Sequence, residues 1–173
     1  LISSFPSGGF YDNEISALAV ANSNSDVIFA AKRVRYEYGI PGSIYKTTNG
    51  GLNWTDVTAG LPDSLYYTSV EINESNASKA YVSMAGFSAG NKVFATVNGG
   101  STWQNISYNL PNLPVNCVKS INGGNKLLAA TDVGIYVLNN GQTSWVNIST
   151  GLPNVILSDI EINTAVNKIY VST

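Results

Sequence analysis

Gly42-Ser-Ile-Tyr-Lys-Thr-Thr-Asn-Gly-Gly-Leu-Asn-Trp54, followed by Thr-Asp-Val-Thr-Ala-Gly-Leu-Pro62, is a phrase this chain uses three times. The second copy runs Asn91-Lys-Val-Phe-Ala-Thr-Val-Asn-Gly-Gly-Ser-Thr-Trp103 and continues to Leu110-Pro111. The third runs Val133-Gly-Ile-Tyr-Val-Leu-Asn-Asn-Gly-Gln-Thr-Ser-Trp145 and continues to Leu152-Pro153. The tryptophans stand 49 and 42 residues apart, and the Leu-Pro pairs keep the same spacing. Self-similarity at such a period is the mark of a repeat architecture.

Two strand-like runs accompany each phrase. The first set is Ile15 to Ala21, Tyr67 to Asn73, Val115 to Ile121 and Leu157 to Asn163; the second is Val27 to Lys32, Lys79 to Met84, Lys126 to Thr131 and Lys168 to Thr173. The first set alternates in places, as in Val70-Glu-Ile72. The second is more continuously apolar, as a strand covered on both faces should be. Polar turns join these two runs, and Asn-Gly-Gly or its variant joins the last two strands of each repeat; Asn and Gly both tolerate the positive φ that tight hairpins require. Four antiparallel strands per repeat make one propeller blade. The expected fold is therefore all-β: about three and a half blades of a β-propeller, with blades at 15–58, 67–107 and 115–149 and a partial blade at 157–173. Blades bury their apolar faces only against neighbours, so the expectation is that the remaining blades of a longer chain complete the ring, with a second chain as the alternative.

Composition narrows the function classes. Charged residues make up 12% of the 173 residues and net charge is −2. The densest basic stretch, Lys32-Arg33-Val34-Arg35, has Glu37 beside it, so the basic stripe that nucleic-acid binding needs is missing. No apolar run reaches the length of a membrane-spanning helix. There is no histidine, the commonest transition-metal ligand and the usual partner of a catalytic thiol. The single cysteine, Cys117, reads as a buried small hydrophobe. No metal or cofactor is expected.

The phrase Ser/Thr-x-Asp/Asn-x-Gly-x-x-Trp resembles the Asp-box, or BNR repeat. It reads Thr47, Asn49, Gly51, Trp54 in the first copy and Thr96, Asn98, Gly100, Trp103 in the second. The third copy is decayed: Leu138 and Gln142 replace the hydroxyl residue and the second glycine, while Asn140 and Trp145 remain. The expected role is structural, with Asn capping the turn's amides, glycines allowing the reversal and Trp packing on the hairpin. Propellers carrying this motif include sialidases, xyloglucan-type endoglucanases, the sortilin luminal domain and photosystem assembly factors, so the resemblance implies fold more than function. A narrower resemblance, over Gly151-Leu-Pro-Asn-Val-Ile-Leu-Ser-Asp-Ile-Glu-Ile-Asn163, is to large secreted Bacteroidetes proteins exported by type IX secretion. It implies an extracellular or cell-surface protein, and Asp63-Ser64-Leu65 resembles the O-glycosylation site of that phylum, with Ser64 as acceptor. Asn-x-Ser/Thr sequons begin at Asn53, Asn73, Asn76, Asn105 and Asn147 and read mainly as by-products of the repeat.

Propeller geometry places the loops between second and third strands, and those between blades, on one face. The longest is Arg33-Val-Arg-Tyr-Glu-Tyr-Gly-Ile-Pro-Gly42, with both arginines of the chain. Arg33, Arg35, Tyr36 and Tyr38, extended by Tyr66, Tyr67 and Phe87, form a candidate surface for a carbohydrate, carboxylate or protein ligand, because planar donors beside aromatic faces suit all three. A solvated loop with an internal Arg-Glu pair is the competing reading. A sialidase-like site would need three arginines and a Tyr-Glu pair set across a pocket, which two arginines in one loop do not supply. A glycosidase needs two opposed carboxylates; Asp132 is the acid to test, and an ordinary turn aspartate is its alternative. The leading expectation is a non-catalytic binding or structural module in adhesion or surface assembly, and the runner-up is a glycoside hydrolase with its catalytic blades outside this segment.

Overall fold

A computed structural model describes residues 14–153, 155–163, 165–166 and 168–173. Three four-stranded antiparallel sheets and one two-stranded sheet follow one another along the chain, each in simple up-and-down order. The first holds β1 (Ile15–Ala21), β2 (Asn24–Lys32), β3 (Ser43–Thr47) and β4 (Thr55–Asp56). The second holds β5 (Tyr67–Asn73), β6 (Asn76–Met84), β7 (Val93–Thr96) and β8 (Gln104–Asn105). The third holds β9 (Val115–Ile121), β10 (Lys126–Thr131), β11 (Gly134–Asn139) and β12 (Val146–Asn147), and β13 (Asp159–Asn163) with β14 (Lys168–Ser172) forms the fourth. Two 3-10 turns, Tyr36–Tyr38 and Asn122–Gly124, are the only helical elements among the described residues.

The second strands of the first two blades begin three residues earlier than their apolar runs. Ala21 pairs with Asn24 and Asn73 with Asn76 across two-residue turns, each next to a register shift. Asn24 and Asn76 accept the N–H of the residue two further on at their own Oδ1, which lets polar residues continue the ladder. The fourth blade's first strand starts later than Leu157. The N–H of Leu157 is donated to the Thr131 carbonyl of the third blade, and its carbonyl accepts from Asn116.

The core is not inside any sheet but between sheets. Phe29, Ala31 and Ile44 of the first blade meet Ile72, Ala80, Val82 and Phe94 of the second. Tyr81, Val93 and Ile106 meet Val118, Leu127, Ala129 and Trp145 of the third, and Leu128, Ala130 and Ile135 meet Leu157 and Ile160 of the fourth. Each large side chain so buried is worth about 1.5–3 kcal/mol. Near the ring axis the contacts are polar. Ser69 Oγ accepts the Val118 N–H, Glu71 Oε1 accepts the Ser120 N–H at 3.0 Å, and the Thr68 hydroxyl donates to the Val115 carbonyl. Side chains of β5 thus satisfy backbone groups on the edge of β9 that no strand pairs, as buried polar groups require.

Candidate functional site

The Asn-Gly-Gly turns are built alike in the first two blades. Thr47 Oγ1 accepts the N–H of Asn49 (3.2 Å) and of Gly51 (3.0 Å) and donates to Asn49 Oδ1, which accepts the Asn53 N–H at 2.9 Å. Thr96, Asn98, Gly100 and Thr102 repeat the pattern. The tryptophan does something the repeat itself does not suggest: it reaches out of its own hairpin. Trp103 Nε1 donates to the Val57 carbonyl of the preceding blade at 2.7 Å, with its ring edge-on to Phe29, and Trp145 Nε1 donates to the Ile106 carbonyl at 2.8 Å. In the decayed third turn, Asn109 of the second blade takes over, accepting the Trp145 N–H and donating to the Trp145 carbonyl.

A second recurring device escapes sequence inspection. Asp56, Asn105 and Asn147 each accept the N–H of the hydroxyl residue two positions on, and that residue, Thr58, Ser107 or Ser149, accepts a third-strand N–H from Ile44, Val93 or Ile135. Two of the sequons, at Asn105 and Asn147, are this turn. Asn73, which begins another, is buried with its amide on Ser120. Its trace in the sequence is the spacing of Asx-x-Ser/Thr before each Leu-Pro pair.

The candidate ligand face resolves into two loops, and one of its expected residues lies elsewhere. In the first-blade loop, Arg33 pairs with Glu14 at 3.0 Å and lies 5.5 Å over the Tyr66 ring, while Arg35 pairs with both Glu14 and Glu37. The loop is folded on itself: Arg35 and Ile40 bridge, Gly39 takes φ 64, and the Tyr36 hydroxyl donates to the Ser64 carbonyl at 2.8 Å. Tyr36 and Tyr38 remain 66% and 52% exposed, beside an apolar hollow of about 230 Å³ lined by Val34, Tyr36, Ile40, Pro41, Asp63 and Ser64. The second-blade loop carries Phe87, 70% exposed. That loop is anchored by Lys92, whose fully buried ammonium donates to the Gly86 carbonyl and whose pKa burial lowers. Tyr67 does not belong to this surface. It is wholly buried in the first interblade core and donates its hydroxyl to the Pro62 carbonyl, and desolvation raises its pKa well above the phenol range. The alternation of β5 turns Tyr67 inward while Tyr66 stays outside the strand.

Asp132 accepts from Asn116 Nδ2 at 2.9 Å, and Asn116 also donates to the Leu157 carbonyl. Its carboxylate holds the Asn116 amide of the third blade, and that amide in turn ties on the fourth blade at Leu157. Cys117 is buried 3.1 Å from Asp159, and desolvation pushes its thiol up to about 12, the opposite of a nucleophile's environment. Among the described residues no group of three or more His, Cys, Asp or Glu is arranged to hold a metal, and no helix is long and apolar enough to cross a membrane.

No protein-family model and no curated protein sequence matches the chain. Solved structures do match. An ancestral GH74 enzyme aligns at TM-score 0.64 and 20% identity over 90% of this chain and 21% of its own. YCF48 bound to D1 peptide aligns at 0.64 and 16% over 91% and 47%. The extracellular domain of a one-component system from B. thetaiotaomicron aligns at 0.65 and 18% over 95% and 21%. The fold is a β-propeller. The chain spans from about a fifth to about half the length of these structures, and likeness at these identities carries the fold alone.

Proposed function

We propose that this propeller segment is a non-catalytic binding module of a secreted or cell-surface protein, and that its ligand meets the face bearing the Arg33–Gly42 loop. The observation that carries the reading is a pair of exposed tyrosines, Tyr36 lining an apolar hollow and Tyr38 two residues on, presented by a loop with its own internal bonds. Rigid aromatic area presented at low entropic cost is what recognition surfaces use. Both arginines are already neutralised by Glu14 and Glu37, so the reading favours a ligand held by stacking and hydrogen bonds, a neutral carbohydrate or a protein segment, over an anionic one. The extracellular placement draws support from neighbours that are extracellular domains. The Asp-box identity of the turns and export of the type IX kind belong to the same reading.

The test is a screen of the full chain against a glycan array and a displayed peptide library, run beside a Tyr36→Ser, Tyr38→Ser, Phe87→Ser variant. A ligand retained by the parent and lost by the variant supports the module. Release of new reducing ends from a bound polysaccharide, abolished by Asp132→Asn, would overturn it in favour of a glycoside hydrolase.

A further inference from the structure

The interface between the first and second blades and that between the second and third are built on one plan but differ at two positions on the Asn-Gly-turn side. Between the first two blades, Lys46 extends along the Phe29 ring, its ammonium 5.6 Å from the centroid, and ends against Gly99. Beside it Val57 packs so closely on Gly100 that a Cβ there would come within 2.8 Å of it. One interface later, β7 places Ala95 at the register position of Lys46, and Gln142 stands where the repeat has Gly100. The lysine stem that filled the groove is gone, and a side chain replaces the hydrogen that let the two blades close. The result is an open cleft of about 280 Å³ between the blades.

Its lining has two characters. The floor is apolar, with Ile106, Leu127 and Leu138. The rim is made of carboxamides, Gln104, Asn139 and Gln142, with the Thr143 hydroxyl. The lining has one charged residue, Lys79, and its ammonium lies 5.8 Å over the Tyr81 ring. At the mouth stands Tyr108, 39% exposed and in a left-handed backbone conformation, φ 40, that a tyrosine rarely takes. The next residue, Asn109, clamps the Trp145 backbone from both sides, and that clamp fixes the turn bearing the ring. Strain of this kind persists only where surrounding structure enforces it.

We infer that this cleft is a binding site for a neutral saccharide of one or two rings, separate from the loop face. A sugar presents an apolar C–H face to an aromatic ring and a girdle of hydroxyls that carboxamides both donate to and accept from; an anionic ligand would find a single cation already engaged. The volume sits near the lower end of small-molecule sites, about 300 Å³, which excludes a long chain bound end-on.

The experiment is an NMR titration of the full chain with cellobiose, maltose and diacetylchitobiose, followed at the backbone amides, with trialanine as a peptide control. The inference expects saturable shifts confined to Tyr108, Gln142, Thr143 and their neighbours with at least one disaccharide and none with trialanine. Ala95→Lys restores the groove-filling residue that the first interface already accommodates and should weaken binding at least about tenfold, or 1.4 kcal/mol, with the fold intact. Tyr108→Gly removes the ring while relieving the backbone and should weaken binding without lowering the melting temperature. Absence of shifts with all three sugars, shifts that persist in Ala95→Lys, a trialanine response at the cleft, or shifts at Tyr36 and Phe87 alone would each overturn it.

Discussion

Gly100 shows how one atom sets the distance between two blades. Its φ of 88 and the Val57 Cβ and methyls 2.8–3.3 Å from where a Cβ would sit leave room for hydrogen only. Gly100→Ala should therefore cost about 1–3 kcal/mol through overpacking plus left-handed strain, read as a lower melting temperature. Gln142 borders an open cleft instead, and Gln142→Gly should change stability far less. Titration is argued at this scale too. Burial raises the Glu71 carboxyl above its ordinary range, with Lys119 at 3.8 Å opposing the shift only in part and Glu74 and Glu161 adding to it. A raised carboxyl binds protons more readily folded than unfolded. Glu71 therefore weighs against stability once the pH is above its folded pKa, and that penalty is relieved as pH falls through it. Glu71→Gln keeps an oxygen for the Ser120 N–H, so it should raise the melting temperature near neutral pH and flatten its dependence on pH just above the ordinary carboxylate range; a steeper dependence in the variant would contradict this. Cys117, with its thiol pushed up to about 12, should resist iodoacetamide in the folded chain and react once the chain is denatured, monitored by mass.

Among the elements, the two inner strands of each blade were readable from apolar runs, and the hairpins from Asn-Gly, because both signals are local. The short outermost strands follow from the same hairpins, but their length, two residues each, does not, since what limits them lies across the sheet. Thr58, Ser107 and Ser149 hold these edges by offering an oxygen to a third-strand amide. Ser107 serves two, the N–H groups of Lys92 and Val93. Ser107→Ala leaves both without that acceptor and should cost about 1–3 kcal/mol, with faster hydrogen exchange at Val93. Sequence patterning also failed to separate Tyr66 from Tyr67. They are adjacent, the last linker residue and the first of β5, and only which face of the strand meets the first blade decides that one stacks under Arg33 while the other fills the core. The loop-face arginines were visible as residues, but their neutralisation by Glu14, nineteen and twenty-one positions away in the chain, is a tertiary fact.

Across the whole molecule, stability is distributed over three interblade cores rather than one centre, so opening should proceed in units. The fourth blade has two strands, and Ile169 and Tyr170 are about half exposed. Amides of β14 should exchange before those of β6 and β10, whose last five residues are all buried; equal protection throughout would show a single cooperative unit. The decayed turn at Asn140 was legible as a departure from the repeat, but not its consequence, because the groove it leaves depends equally on Ala95, which no motif marks.

The backward reach of the tryptophans has a corollary for how such chains grow. The second and third hairpins each carry a donor aimed at the blade before, and the Val57 and Ile106 carbonyls receive those donors. The junction is thus polar in the sense of a head-to-tail coupling, and the second repeat carries both halves, the Trp103 donor and the Ile106 acceptor. A repeat copied and inserted between two others arrives with a compatible connector at each end, so blade number can change by duplication without inventing a new joint.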